Sequence, residues 1–248
     1  VIGGSNSAVF GANAVRGTIN IVTRKPFEVE GQTVELTAGA IGTRKGMYRF
    51  AAVGDKLDYR VTLQTAKDDG YDNVDDYKKI KSLAYRGLYS PRKNHAFDIQ
   101  LGISGGPTGG RGIDTDLEVP PRTKETRGHY ESITWTKKIS DSINRKFRLT
   151  NNYILWDDTY TRYLPDIDLA YPPFYASNAI NAGETSTTDA EYQQSNNYEN
   201  FRVAWGGGYK RARARQAILF DQPEYISDDS QRLFLEIESR VTKNTLIN

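Results

Sequence analysis

Residues 57–66 read Leu-Asp-Tyr-Arg-Val-Thr-Leu-Gln-Thr-Ala, with apolar or aromatic side chains at Leu57, Tyr59, Val61 and Leu63. The positions between them are mainly charged or polar. Successive side chains of a β-strand point to opposite faces, so a period of two separates the two sets. The stretch therefore predicts a strand with one apolar and one polar face.

The same alternation recurs along most of the chain. It returns at residues 32–41, 45–53, 80–90, 96–104, 128–139, 145–156, 187–195, 201–210 and 231–241. These segments make about ten strands of roughly 9–11 residues, the length of a tilted strand that crosses a bilayer. No segment of comparable length shows the 3.6-residue periodicity of an amphipathic helix. The pattern predicts an all-β chain that forms part of a transmembrane antiparallel β-barrel.

The connections between these segments sort by length. Short polar turns are predicted at residues 54–56, 91–94, 140–142 and 195–197, and longer segments at 67–79, 105–127, 157–186 and 216–230. Outer-membrane barrels have short periplasmic turns and long extracellular loops. A soluble all-β domain would also alternate, although its connections should not sort so regularly.

Composition narrows the function classes. Lys and Arg total 33 against 31 Asp and Glu, so the net charge of +2 gives no reason to expect a nucleic-acid partner. The absence of cysteine excludes disulfides and thiolate chemistry. A mean hydropathy of -0.64 and the lack of a long apolar run exclude a transmembrane helix. No catalytic triad order, paired-carboxylate geometry or nucleotide motif stands out, so neither an enzyme nor a cofactor is predicted.

The first 26 residues carry a second signal. They read Val-Ile-Gly-Gly-Ser-Asn-Ser-Ala-Val-Phe-Gly-Ala-Asn-Ala-Val-Arg-Gly-Thr-Ile-Asn-Ile-Val-Thr-Arg-Lys-Pro. This segment resembles the end of the plug domain of TonB-dependent outer-membrane receptors. The matching positions, in register with the family pattern, are Gly4, Ser7, Phe10, Gly11, Ala14, Gly17, Ile19, Asn20, Ile21, Val22 and Thr23. The sequence departs from the pattern at Gly3, Ser5 and Arg16.

The resemblance implies a domain organisation and a function. Residues 1–27 would form the C-terminal end of a plug, with a buried strand at 18–23, and residues 28–248 the N-terminal half of the barrel. Family barrels have about 22 strands, so we expect this chain to be a fragment. The family takes up scarce ligands, typically iron–siderophore complexes, across the bacterial outer membrane. The TonB energy-transducing complex pulls on the plug.

Several cationic side chains are candidates for contact with the plug or the ligand. The predicted ligand-facing residues are Arg60, Arg86, Arg111, His129 and Arg202. Arg60, Arg86 and Arg202 belong to polar rows, Arg111 to a glycine-rich loop, and His129 to the loop end of a strand.

A run of alternating arginines suggests a different partner. Arg211, Arg213 and Arg215 continue the apolar row of Trp205 and Tyr209 by parity. We expect them to meet lipopolysaccharide phosphates, which suit the bidentate geometry of arginine. A solvated strand extension is an equal alternative.

The loop at residues 67–79 is acidic. It contains Asp68, Asp69, Asp72, Asp75 and Asp76, which leave a calcium site open as an alternative. Their spacing lacks the EF-hand pattern and acidic loops are usually solvated, so no metal site is predicted.

Two other classes of protein remain open. A passive or adhesive outer-membrane barrel without a plug would close with this chain alone. A soluble all-β binding module would pack its apolar rows inside a sandwich.

Overall fold

The computed structural model describes residues 2–3, 17–18, 23–72, 74–110, 121–165, 174–216, 224–242 and 245–247. All strand pairing there is antiparallel. The strands are β1 Ile2–Gly3, β2 Gly17–Thr18, β3 Gly31–Ala38, β4 Arg44–Ala52, β5 Leu57–Asp68, β6 Lys78–Arg92, β7 His95–Gly109, β8 Thr123–Lys138, β9 Ile143–Asp157, β10 Thr159–Pro165, β11 Phe174–Ile180, β12 Gly183–Asn197, β13 Phe201–Arg215, β14 Ile226–Thr242 and β15 Thr245–Ile247. A single 3-10 turn, Pro26–Glu28, precedes β3.

One large sheet dominates the described part of the chain. Its order is β3-β4-β5-β6-β7-β8-β9-β12-β13-β14-β15, and β1-β2 and β10-β11 form separate two-stranded sheets. Apart from the three-residue β15, the large sheet has ten strands, one for each predicted segment. The predicted all-β antiparallel architecture is confirmed.

Strand length is where the prediction was wrong. β6 to β9 and β12 to β14 have 15 to 17 residues, rather than about ten. For example, Gly105 pairs with Arg127 although both lie in a predicted loop. The strands continue into polar segments, and apolar alternation cannot reveal that continuation.

The connections sort by length as predicted. Residues 53–56, 93–94, 139–142 and 198–200 form short turns at one end of the sheet, which we call the turn end; the other is the loop end. The predicted turn at residues 195–197 is wrong, because Asn196 still pairs with Val203 in the β12-β13 ladder. The predicted loop 157–186 contains the β10-β11 hairpin.

The large sheet has two chemically different faces. We call residues 23–26, which precede the sheet, the linker, and the face of the sheet that they contact the linker face. This face carries Arg60 and Arg86, which contact residues 23–24. The opposite, apolar face exposes large hydrophobic side chains, among them Leu36 (82% exposed) and Leu233 (91%). In the described ranges the buried apolar side chains of the sheet are those of two alanines, Ala51 and Ala204, and Pro26 is buried in the segment before it. The apolar rows are therefore not packed inside a sandwich, contrary to the soluble-module alternative.

The exposed apolar band crosses the strands diagonally. From Val34, cross-strand partners pass through Leu63, Ile103 and Tyr153 and end at Ser227 on β14. The hydrophobic side chains of β14 lie farther toward the turn end; they are Leu233, Leu235 and Ile237. Tilted strands in a barrel wall produce this stagger, because the membrane-facing band is perpendicular to the barrel axis and therefore crosses each successive strand at a different position.

The sheet is open in the described part of the chain. β3 has β4 as its one neighbour and β15 has β14, so the two edges are not paired with each other. The small barrel closed by this chain alone is therefore not observed. The described residues include no helix long and apolar enough to span a bilayer.

Candidate functional site

A buried arginine fixes the chain where it enters the sheet. Arg86 Nη1 donates to Thr23 O at 2.8 Å and to Thr23 Oγ1 at 2.9 Å. Asp98 on β7 holds the other side of the guanidinium, with Nη2–Oδ2 at 2.7 Å and Nε–Oδ1 at 3.2 Å. Arg60 Nη1 donates to Arg24 O at 2.7 Å. We call Arg60, Arg86 and Asp98 the linker clamp.

The clamp combines charge with burial. Arg86 is 8% exposed, and its pairing with Asp98 is bidentate, a geometry that is strong and directional. Removing one partner of such a pair leaves an uncompensated charge and costs about 3–5 kcal/mol. Pro26, the next anchored residue, is fully buried. Residues 23–26 are therefore held against the wall at the turn end.

The linker face also carries a charge ladder on β9, β12 and β14. Arg148 Nη2 lies 3.4 Å from Glu191 Oε1, and Arg232 pairs with both Asp189, at 3.3 Å, and Glu191. Arg202 pairs with Glu238 at 3.6 Å. The charged side chains named here are therefore paired with one another within the sheet.

At the loop end, one arginine ties several loop segments together. Arg122 Nε lies 2.6 Å from Asp158 Oδ1, and its guanidinium stacks over the Tyr160 ring at 4.0 Å. The backbone N–H of Arg122 donates to Asp75 Oδ2 at 2.8 Å. Lys124 Nζ adds a second cation, 3.5 Å from Asp158 Oδ2. We call Asp75, Arg122, Lys124 and Asp158 the loop tie.

The loop tie shifts the ionisation of its members. Burial of Asp158 alone would raise the pKa of this carboxyl, but the hydrogen bond from Arg122 and the charges of Arg122 and Lys124 outweigh it and lower the pKa. The hydrogen bond to Asp158 raises the pKa of Arg122. Both groups are therefore charged at neutral pH, and the tie is complete there.

Carboxylates of the acidic loop accept hydrogen bonds from nearby backbone N–H groups and from a threonine hydroxyl. Asp68 accepts from the Thr43 hydroxyl at 3.0 Å and from the Gly70 N–H at 2.9 Å, and Asp76 accepts from the Tyr71 N–H at 2.9 Å. Nowhere in the ranges given above do three or more His, Cys, Asp or Glu side chains gather in a way that could hold a metal.

The predicted ligand-facing residues do not share one surface. Arg60, Arg86 and Arg202 lie on the linker face. His129 lies on the apolar face, where it stacks on Tyr153 at 4.9 Å, because its position has the opposite parity to the adjacent linker-face residues. Arg111 lies outside the described residues.

Most of the plug motif lies outside the described residues. That applies to Gly4, Ser7, Phe10, Gly11, Ala14, Ile19, Asn20, Ile21 and Val22. Gly17 pairs with Gly3 in the β1-β2 ladder. Thr23 is not in a strand but in the linker, where the clamp holds it.

The three alternating arginines lie on the apolar face at the loop end, as parity predicts. Arg211 already pairs with Asp229 at 3.5 Å, and Arg215 pairs with Glu184. Glu184 is only 6% exposed and also accepts from the hydroxyls of Tyr153 and Tyr225.

Sequence reasoning did not find Asp98, Arg122, Asp158 or Glu184. Their partners lie 12 to 47 positions away along the chain, so only the folded arrangement of strands and loops brings them together.

Comparison with known proteins supports the fold. The sequence matches no protein-family model and no curated protein. The structure is similar to the closed form of the ferric-catecholate import receptor Fiu of Escherichia coli K12, with a TM-score of 0.76 at 12% identity over 98% of this chain and 43% of that one. It is similar to the ferripyoverdine receptor of Pseudomonas aeruginosa, with a TM-score of 0.72 at 12% identity over 97% and 39%. It is also similar to the copper transporter OprC, with a TM-score of 0.54 at 14% identity over 97% and 48%.

The chain has the fold of the TonB-dependent outer-membrane receptors, as its first 26 residues predict. It spans about two fifths of the length of the first two of these receptors.

Proposed function

We propose that this chain is the end of the plug, residues 1–27, and the first half of the barrel, residues 28–248, of a bacterial outer-membrane receptor that imports a scarce ligand. The observation that carries the proposal is the diagonal apolar band on one face of a ten-stranded sheet whose other face grips the preceding linker. Lipid on one side and a plug on the other account for both faces.

Orientation follows from the same picture. The short turns would face the periplasm and the loop tie the cell exterior, where ligand is captured. The ligand class we favour is a metal chelate, above all an iron–siderophore complex, because two similar structures are named as a ferric-catecholate import receptor and a ferripyoverdine receptor. A copper transporter among the similar structures makes metal identity the first variable to test.

Energy coupling is the second part of the proposal. A plug that fills the barrel must rearrange before ligand can pass, and the TonB complex would supply the work. The linker clamp supports this division of labour, because it would keep residues 23–26 on the wall while the plug upstream moves. We assign no enzymatic reaction to this surface.

The test uses the complete gene in its native host. A deletion strain is grown with ferric siderophores, ferric catecholates or copper as sole metal source, then complemented with the wild-type gene in strains with and without TonB. We expect one metal complex to support growth only with both the receptor and TonB. Growth restored equally without TonB would favour a passive barrel. No growth difference on any complex would contradict the uptake proposal.

A further inference from the structure

A groove opens on the apolar face where β5 to β9 approach the loop end. It has a volume of about 670 Å³. Its apolar lining comes from Leu63, Leu83, Ile103, Tyr153 and Leu155. In a receptor of the proposed function, this face meets acyl chains rather than the plug.

The floor of the groove is a glycine. Gly105 on β7 pairs with Lys81 on one side and Arg127 on the other, so the three lie on one register line. A Cβ at Gly105 would lie 2.6 Å from the Thr126 carbonyl oxygen and 3.1 Å from the Arg127 Cα. Gly105 therefore lets β8 approach β7 closely, and no side chain stands between the two cations, whose strands are about 10 Å apart.

The two cations of the groove have no acidic partner. Lys81 and Arg127 are both exposed, and neither forms an ion pair with any of the residues the structure describes. On the same face, Arg211 and Arg215 are paired with Asp229 and Glu184. Arg213 forms no ion pair within the described residues either, but its register partners are Ser186 and Ser227, so no second cation lies beside it. Two cations without ion pairs beside a hydrophobic groove match a ligand that combines an anionic group with an acyl chain.

The groove lies at the edge of the apolar band. One step toward the turn end, the register line through Leu83 and Ile103 is hydrophobic, and one step toward the loop end Glu125 pairs with Asp157. From β6 to β9, that outer register line carries two carboxylates, one of which, Glu125, also lines the groove, and a single cation, Lys79. A headgroup anion is therefore expected between Lys81 and Arg127, where both flanking side chains are cations, rather than one step farther out. The acyl chain would run toward the turn end over Leu83 and Ile103.

We propose that this groove binds a phosphorylated, acylated lipid of the outer leaflet, lipopolysaccharide, with a phosphate between Lys81 and Arg127. This inference rests on the proposed outer-membrane function. It places the lipid contact at a different site from Arg211, Arg213 and Arg215, for which the sequence left lipopolysaccharide contact and simple solvation as equal alternatives.

The experiment measures lipid binding by the complete, delipidated receptor in mild detergent, using native mass spectrometry and purified lipopolysaccharide. The test variant is Lys81→Gln with Arg127→Gln. The matched control is Arg211→Gln with Arg213→Gln, which removes the same charge from the same face. We expect the test variant to bind lipopolysaccharide at least about tenfold more weakly and the control to bind like wild type. Unchanged binding by the test variant, or an equal loss in both variants, would overturn the proposal.

Two further arms identify what is bound. Chemically dephosphorylated lipopolysaccharide should bind wild type as weakly as the intact lipid binds the test variant; equal binding of both lipids by wild type would refute the phosphate contact. Inorganic phosphate at the same concentration should not displace the lipid, and full displacement would reveal a simple anion site. Fractionation of cells and metal-dependent growth test the proposed function separately, because a receptor that sorts to the outer membrane and imports metal can still fail to bind this lipid.

Discussion

Arg86 on β6 and Asp98 on β7 form a bidentate pair, with Nη2–Oδ2 at 2.7 Å and Nε–Oδ1 at 3.2 Å, and the same guanidinium donates to the backbone of Thr23. One side chain thus joins two wall strands to the segment that precedes the wall. Because Arg86 is nearly fully buried, water cannot take over its hydrogen bonds to Asp98 and Thr23 if the guanidinium is removed.

Arg86→Gln should release the linker. The variant loses charged hydrogen bonds worth about 1.5–3 kcal/mol each, so transient opening at residues 23–25 should increase by roughly tenfold or more. Arg24 is exposed beside the clamp, and trypsin cuts after arginine, so the rate of cleavage between residues 24 and 25 reports the opening. Arg49→Gln is the control, because Arg49 lies on the same face but donates to Thr33 in β3. Equal cleavage rates in all three proteins would contradict a clamping role.

The loop tie should respond to acid. The lowered pKa of Asp158 means that the folded state binds this proton more weakly than the unfolded state. Its contribution is therefore complete above the unfolded pKa of about 3.9 and declines as pH falls through the lower folded value. Amide protection at residues 121–124 and 157–160, measured as the exchange rate relative to the intrinsic rate at each pH, should be constant near neutral pH and decline only below about pH 4.

Arg122→Gln should move that transition to higher pH. Without the guanidinium, burial, which raises the pKa of Asp158, is opposed by Lys124 alone. The same loop segments should then exchange faster at every pH, and their protection should be lost at a less acid pH than in wild type. A transition at the wild-type pH would show that Arg122 does not control the ionisation of Asp158.

Features that depend on neighbouring residues could be predicted from the sequence, whereas contacts between residues far apart along the chain could not. The parity of Leu57 and Arg60 needs only neighbouring residues, so the ten strands and their faces were accessible. The pairing of Arg86 with Asp98 depends on the register between β6 and β7, which no local pattern sets. The contact of Arg122 with Asp158 depends on two loops meeting in space. The polar ends of the strands and the β10-β11 hairpin were missed because they lack hydrophobic alternation.

Gly106 should resist substitution. Its φ of 148° lies in the region that favours glycine, and a Cβ there would overlap the Lys79 carbonyl oxygen. Gly106→Ala should therefore cost about 1–3 kcal/mol and lower the temperature at which the folded receptor unfolds on heat-modifiability gels. Gly46→Ala is the matched control, since its Cβ would make an ordinary 3.5 Å contact with Thr65 Cγ2. Similar melting of both variants would argue against strain at Gly106.

Leu149 and Thr150 are adjacent on β9 but point to opposite faces, which makes them a direct test of which face meets lipid. Leu149, 41% exposed, pairs with Ile133 and Ala190 on the apolar face, whereas Thr150 pairs with Asp189 on the linker face. Leu149→Arg should destabilise the barrel by about 2–4 kcal/mol, the cost of an arginine near the middle of the bilayer, and reduce the amount of folded receptor in the outer membrane. Thr150→Arg should be tolerated, because the new cation gains a carboxylate neighbour. If the effects were reversed, with Thr150→Arg the damaging change, the apolar face would have to pack against protein, and the barrel interpretation would fail.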